Sequence, residues 1–165
     1  MDNDELEFRR VMQQRADTVH LITYRAGNGQ VEGMTATAVS ALSLAPPSVL
    51  VCINHSARAR DAIRASGVFG LSVLSASQRE IAGHGALKGG EKSFDAELTV
   101  ETDPLLVPVL HTALATLQCQ VVDDRDLFTH TVFAGQVLAA LIRNQAGPLL
   151  HHLGSYVALD DRGIG

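Results

Sequence analysis

The stretch GMTATAVSALSLAPPSVLVCINHSARAR, residues 33–60, decides the fold. Its first part, Gly33 to Leu44, is a dense run of small and hydroxyl-bearing residues in a region that otherwise reads as strand. After Pro46 and Pro47, SVLVCI is a continuous apolar run, the pattern of a strand covered on both faces. NHSARAR then opens a short helix over Arg58 to Ala65, with Ala59, Ala62 and Ile63 on one face.

The flanking segments extend the same pattern. TVHLITYRAGNGQVEGM (18–34) places two β-rich runs around Gly27, Asn28 and Gly29, which predicts a hairpin with glycine-dependent turn geometry. LQCQV (117–121) alternates, with Leu117, Cys119 and Val121 facing one way and Gln118 and Gln120 the other. HTVFAGQVLAALI (130–142) continues the sheet. Helical periodicity returns only at Asp4 to Arg15, with Leu6, Phe8, Val11 and Met12 as its apolar set, and at Ser77 to Ala82. Strands and long helices do not alternate, so a doubly wound parallel sheet is disfavoured. The reading is mainly β: an antiparallel barrel with peripheral helices.

Composition narrows the function. A chain of 165 residues, 46% hydrophobic and without linker or internal repeat, is expected to be one domain over residues 1–165. A net charge of -5 argues against a nucleic-acid partner. The apolar runs fall short of the roughly 18 residues a spanning helix needs, so no membrane role is expected. MDNDELEFRR lacks the basic and apolar regions of a secretory signal, which points to the cytoplasm. Cys52 and Cys119 lie far apart in apolar runs and read as buried reduced thiols.

Several motifs invite chemistry. GALKGGEKS (85–93) approaches a phosphate-binding loop, but Glu91 separates Gly90 from Lys92, and the segment before it reads as helix where a strand is required. It remains a glycine-rich connection, with or without a ligand. The small-residue run from Gly33 lets a flat aromatic ligand approach the backbone, hydrogen-bonded by Thr35, Thr37 and Ser40; a strand packed closely on a neighbour reads equally well. At the next helix, Asn54 or Ser56 can cap, while Arg58 and Arg60 add charge, which makes an anion site or a plain cap with solvated arginines. No nucleophile elbow occurs. Among seven histidines none has ligand-pair spacing with a third partner, and His151 and His152 point to opposite faces of a strand, so no metal is expected. His130, after the acidic turn DDRD, reads as a structural or rim residue.

Together FRRVMQQRADTVHLITY, residues 33–74, LQCQVV, HTVFAGQV and PLLHHLGSY resemble the short-chain flavin reductases, the reductase components of two-component flavin-dependent monooxygenases. The resemblance runs from about Phe8 to Tyr156. It implies a split β-barrel of the FMN-binding type, a homodimer, FMN or FAD in a groove, and NADH or NADPH arriving over it. The residues implied on the flavin are Gly33, Met34, Thr35, Ala36, Thr37 and Ala38 along the ring and ribityl chain, then Cys52, Ile53, Asn54, Ser56 and Arg58 around ring edge and phosphate. Lys92 and Phe94 come from a flap beside the flavin tail, and His130, His152 and Tyr156 lie on the nicotinamide side. Three departures fall on that side: FTH before the histidine, His151 where tyrosine is frequent, and ADTVHL in place of an alanine, threonine, glycine, valine run. The implied chemistry is direct hydride transfer between cofactors, with no catalytic acid, base or nucleophile, and release of reduced flavin to a partner monooxygenase. The alternative is a flavin-binding protein or redox carrier of the same fold without efficient turnover.

Overall fold

The computed structural model describes residues 3–89, 92–94, 98–100 and 107–159. Gly90 and Glu91 of the glycine-rich loop lie outside the described residues. The elements in order are α1 (Asn3–Gln13), β1 (Asp17–Thr18), β2 (His20–Arg25), β3 (Val31–Ala36), β4 (Val39–Leu44), β5 (Pro47–Asn54), α2 (Arg58–Ser66), β6 (Val68–Val73), α3 (Arg79–Gly85), β7 (Leu98–Val100), β8 (Pro108–Leu110), β9 (Ala115–Leu127), β10 (His130–Ile142), β11 (Leu149–His152) and β12 (Ser155–Ala158).

The hairpins form where the turn chemistry puts them. β2 and β3 pair from Arg25↔Val31 inward, and Gly29, at φ 84°, sits in the left-handed region that glycine adopts without strain. β4 and β5 pair from Leu44↔Pro47, around the proline pair. A seven-stranded antiparallel sheet results, in the order β3-β2-β6-β9-β10-β5-β4. Its edge strands stay unpaired with each other, yet Met34 of β3 and Val39 of β4 pack on one core with Ile22, Val51, Phe69 and Phe133. The sheet therefore curls into a split barrel, open between β3 and β4. Gly135 admits the Phe69 ring, since a Cβ there would lie 2.6 Å from Phe69 Cζ.

α2 closes one side of the barrel with Ala59 and Ile63, both 1% exposed. On the outer face of β2 and β6 a second cluster gathers Val19, Leu21, Leu74, Phe94 and Leu110 beneath α3 and β11. Here β8 lies backbone-down on the sheet: Thr23 Oγ1 donates to Pro108 O, Ser72 Oγ accepts from Leu110 N at 3.0 Å, and Gln118 Nε2 donates to Val107 O at 2.9 Å. Those polar side chains satisfy main-chain groups that burial would otherwise orphan.

The alternation at β9 is as read, with Gln118 facing β8 and buried at 2%. Several sequence expectations need correction. The acidic DDRD is no turn: it continues β9, and the turn falls at Phe128 and Thr129. α3 starts at Arg79, because Gln78 Nε2 and Oε1 are engaged by Thr112 Oγ1 and Ser75 N. α1 is amphipathic as expected, yet none of its residues is buried. Among the described residues no helix is long and apolar enough to cross a membrane.

Candidate functional site

A cavity of about 700 Å³ opens where the end of β3, the start of α2 and the loop after α3 meet. Met34 and Thr35 give one wall, Asn54, Ser56 and Arg58 a second, and Lys88, Gly89 and Lys92 a third. Six residues expected on the flavin thus share one hollow, although up to 58 positions separate them in sequence.

Local chemistry explains the walls. Gly85 brings the last turn of α3 against β3: a Cβ there would stand 3.0 Å from Thr35 N. Thr35 Oγ1 donates to Ala82 O at 2.7 Å and Lys92 Nζ donates to Gly85 O at 2.9 Å, so helix and flap are tied to the strand. Main-chain bonds from Gly33 N to Lys92 O (3.2 Å) and from Phe94 N to Val31 O (3.3 Å) dock the flap along the outer edge of β3.

At α2 the expected cap is corrected. The residue preceding the helix is Ala57, and no side chain caps it. Asn54 Oδ1 instead accepts from Ser56 N (2.9 Å) and Ser56 Oγ (2.7 Å), holding the turn before the helix. The uncapped first turn keeps the positive end of the helix toward the cavity that Ala57 and Ala59 line. Arg60 is withdrawn from any anion site: it binds Asp126 Oδ2 at 3.2 Å and Thr131 Oγ1 at 3.2 Å. Arg64 also meets Asp126, at 2.8 Å, and together with the Thr131 hydroxyl it holds that carboxyl well below the usual range. The cluster fastens α2 to β9.

The acidic residue of the cavity was not foreseen. Glu32, 1% exposed, accepts from Tyr24 Oη at 2.9 Å through Oε2, and its Oε1 lies 2.9 Å from Arg58 Nη2. Burial, and then this carboxylate, push the Tyr24 hydroxyl up. Burial lowers the Lys92 ammonium, and Glu32 opposes that shift. In sequence Glu32 was one glutamate beside a hairpin; only its register opposite Tyr24 buries it.

Other expected site residues are placed differently. Ala36, Ile53 and Phe94 turn their side chains into the cores, so only their main chains are available to a ligand. Gly33 makes room for the Phe94 ring. Thr37, Ala38 and Cys52 line a separate hollow of about 290 Å³ with Arg15 and Asp17. Cys52 is half-buried there, whereas Cys119 is buried and its thiol is pushed up to about 12. Thr37 also borders a third hollow of about 420 Å³ at the mouth of the split barrel, beside His20, Val39 and Leu71.

The nicotinamide-side candidates are dispersed. His130 pairs with Asn54 across β10 and β5, which puts it at the rim of the large cavity, with Nδ1 2.9 Å from Thr129 Oγ1. His152 and Tyr156 belong to the β11–β12 hairpin. Neither lines one of the three hollows, although β11 pairs with β1 at Asp17↔His151, beside two of them.

What the large cavity can do follows from its donors. Two lysines, one arginine and a helix start suit a phosphorylated ligand, and the volume suits one of cofactor size. Small residues beyond it leave the chain close to any planar group carried by that ligand.

Comparison with known proteins agrees. The reductase component of the 4-nitrophenol 4-monooxygenase/4-nitrocatechol 2-monooxygenase of Rhodococcus opacus is 35% identical over 93% of this chain and 80% of that protein. The reductase component of the FADH2-dependent resorcinol hydroxylase of Rhizobium sp. (strain MTP-10005) is 33% identical over 95% and 88%. The structure of the NADH:FAD oxidoreductase SgcE6 of Streptomyces globisporus C-1027, in complex with NAD and FAD fragments, superposes with a TM-score of 0.87 at 27% identity, covering 96% of this chain and 94% of that one. Residues 12–160 match the flavin reductase like domain, and the chain belongs to that family.

Proposed function

We propose that this chain is an NAD(P)H:flavin oxidoreductase that reduces FMN or FAD and supplies the reduced flavin to a partner monooxygenase. The observation that carries the reading is the single cavity joining Met34 and Thr35 to the start of α2 and to Arg58, Lys88 and Lys92. Bound flavin supplies the hydride acceptor and NADH or NADPH the donor, so the protein's task is to bind and orient. Arg58, Lys88, Lys92 and the uncapped α2 would hold the phosphate. Met34 and Thr35 would flank the ribityl chain, and Thr37, Ala38 and Cys52, in the separate hollow, would receive the ring. His130, at the rim beside Asn54, and the β11–β12 hairpin with His152 and Tyr156 would border the nicotinamide.

Exposed apolar side chains support a homodimer: Phe8 is 68% exposed, Leu44 92% and Ile142 78%. The free thiols of Cys52 and Cys119 fit a reducing compartment, and we assign the protein to the cytoplasm. The test is loss of NADH and NADPH absorbance with purified protein and added FMN, FAD or riboflavin. Oxidation that rises with added flavin supports the reductase. Flavin retained through purification with no oxidation of either donor would make the chain a carrier.

A further inference from the structure

Among the described residues, phosphate binding leaves one charged side chain of the cavity unused. Glu32 lines the same hollow as Arg58, Lys88 and Lys92, yet it carries the charge that a phosphate avoids. Its Oε1 lies 2.9 Å from Arg58 Nη2 but meets no donor along a hydrogen-bonding direction. The Arg58 side chain remains 53% exposed. The contact therefore attracts the guanidinium without aiming it. The second oxygen is engaged by Tyr24, whose hydroxyl would be served as well by an amide oxygen. Nothing in the hydrogen bonding requires a full negative charge at this position, and a buried charge is costly to keep.

What a negative charge does require is electrostatic. A carboxylate beneath the cations of a phosphate site repels the phosphate at every separation, so the sign does not depend on the pose of the ligand. We propose that Glu32 is a specificity-determining residue that holds down the affinity of this cavity for phosphate, so that a phosphorylated flavin binds little more tightly than riboflavin and leaves after each turnover. The inference rests on reading the cavity as the flavin phosphate site. The competing role, in which Glu32 positions Arg58 for phosphate, predicts the opposite sign.

Glu32→Gln keeps the side-chain volume and an acceptor for Tyr24 while removing the charge. Dissociation constants for oxidised FMN and riboflavin, from flavin fluorescence at pH 7 and low salt without pyridine nucleotide, give the readout. The expected result is FMN bound about tenfold more tightly by the variant, riboflavin unchanged, and a gain that shrinks as salt is added. An unchanged FMN-to-riboflavin ratio, or weaker FMN binding, overturns the proposal. Should circular dichroism show the variant unfolded, the wild type decides. There the proposal expects the two constants within about tenfold of each other, and a phosphate that contributes about a thousandfold contradicts it. Arg58→Ala in the same assay separates the two readings. FMN affinity unaffected by that change removes the phosphate site itself, whereas weakened FMN binding with an unchanged ratio in Glu32→Gln removes only the role of Glu32.

Discussion

Gly33 lies against the ring of Phe94, so closely that a Cβ at Gly33 would stand 2.9 Å from Phe94 Cε2. Phe94 is 6% exposed in the second core cluster, two residues from Lys92, and it anchors the flap that carries the lysine. Phe94→Ala is expected to cost about 3–5 kcal/mol in urea unfolding and to weaken FMN binding by freeing Lys92. Gly33→Ala should cost about 1–3 kcal/mol by displacing the ring. Full stability in Phe94→Ala would show that the flap is held elsewhere.

Arg58 is expected to act on affinity and not on the hydride step. Arg58→Ala should raise the KM for FMN about tenfold, leave kcat within about twofold, and leave riboflavin kinetics unchanged, because a contact remote from the reacting rings contributes uniform binding. Steady-state kinetics with both flavins check this, and a fall in kcat at saturating FMN would move Arg58 toward the reacting centre.

His20 gives the fold an acid sensitivity. Burial lowers its pKa below 6.5 and outweighs the backbone of Ala36 and Thr18, which acts in the other direction. Because the folded state favours the neutral ring, the stability it contributes is present above pH 6.5 and is lost as pH falls through the folded value. Melting temperature should therefore drop on acidification below about pH 6.5, and His20→Gln should flatten that slope. Identical slopes for both proteins would assign the acid loss to other groups.

The sequence carried the parts of this architecture that local physics decides. The glycines around Asn28 announced the β2–β3 hairpin because turn conformations are restricted residue by residue, and the proline pair at 46 and 47 marked where β5 begins. The continuous apolar run of β5 announced a strand, but covering on both faces is corrected: Val49, Val51 and Ile53 on one face are buried, whereas Leu50 and Cys52 on the other are half-buried beside a hollow. What stayed hidden depends on register and close approach. Nothing in VEGM tells that Glu32 is buried beside Tyr24 and Arg58, or that the smallness of Gly33 makes room for an aromatic ring. The helix start at Arg58 was legible and its cap was not: Asn54 has the chemistry of a cap, but its oxygen is spent on Ser56 before the helix begins. The apolar stripe of α1 correctly signalled a helix and could not say that this chain alone leaves it uncovered.

The central claim, that flavin is turned over and released rather than kept, is tested most directly by anaerobic reduction of a large molar excess of FMN or FAD. NADH or NADPH is mixed with a catalytic amount of protein, and loss of the oxidised flavin absorbance is followed. The whole pool is expected to bleach at a rate proportional to protein concentration. Bleaching that stops at one flavin per chain, with the remaining pool oxidised, would contradict it and leave a carrier in its place.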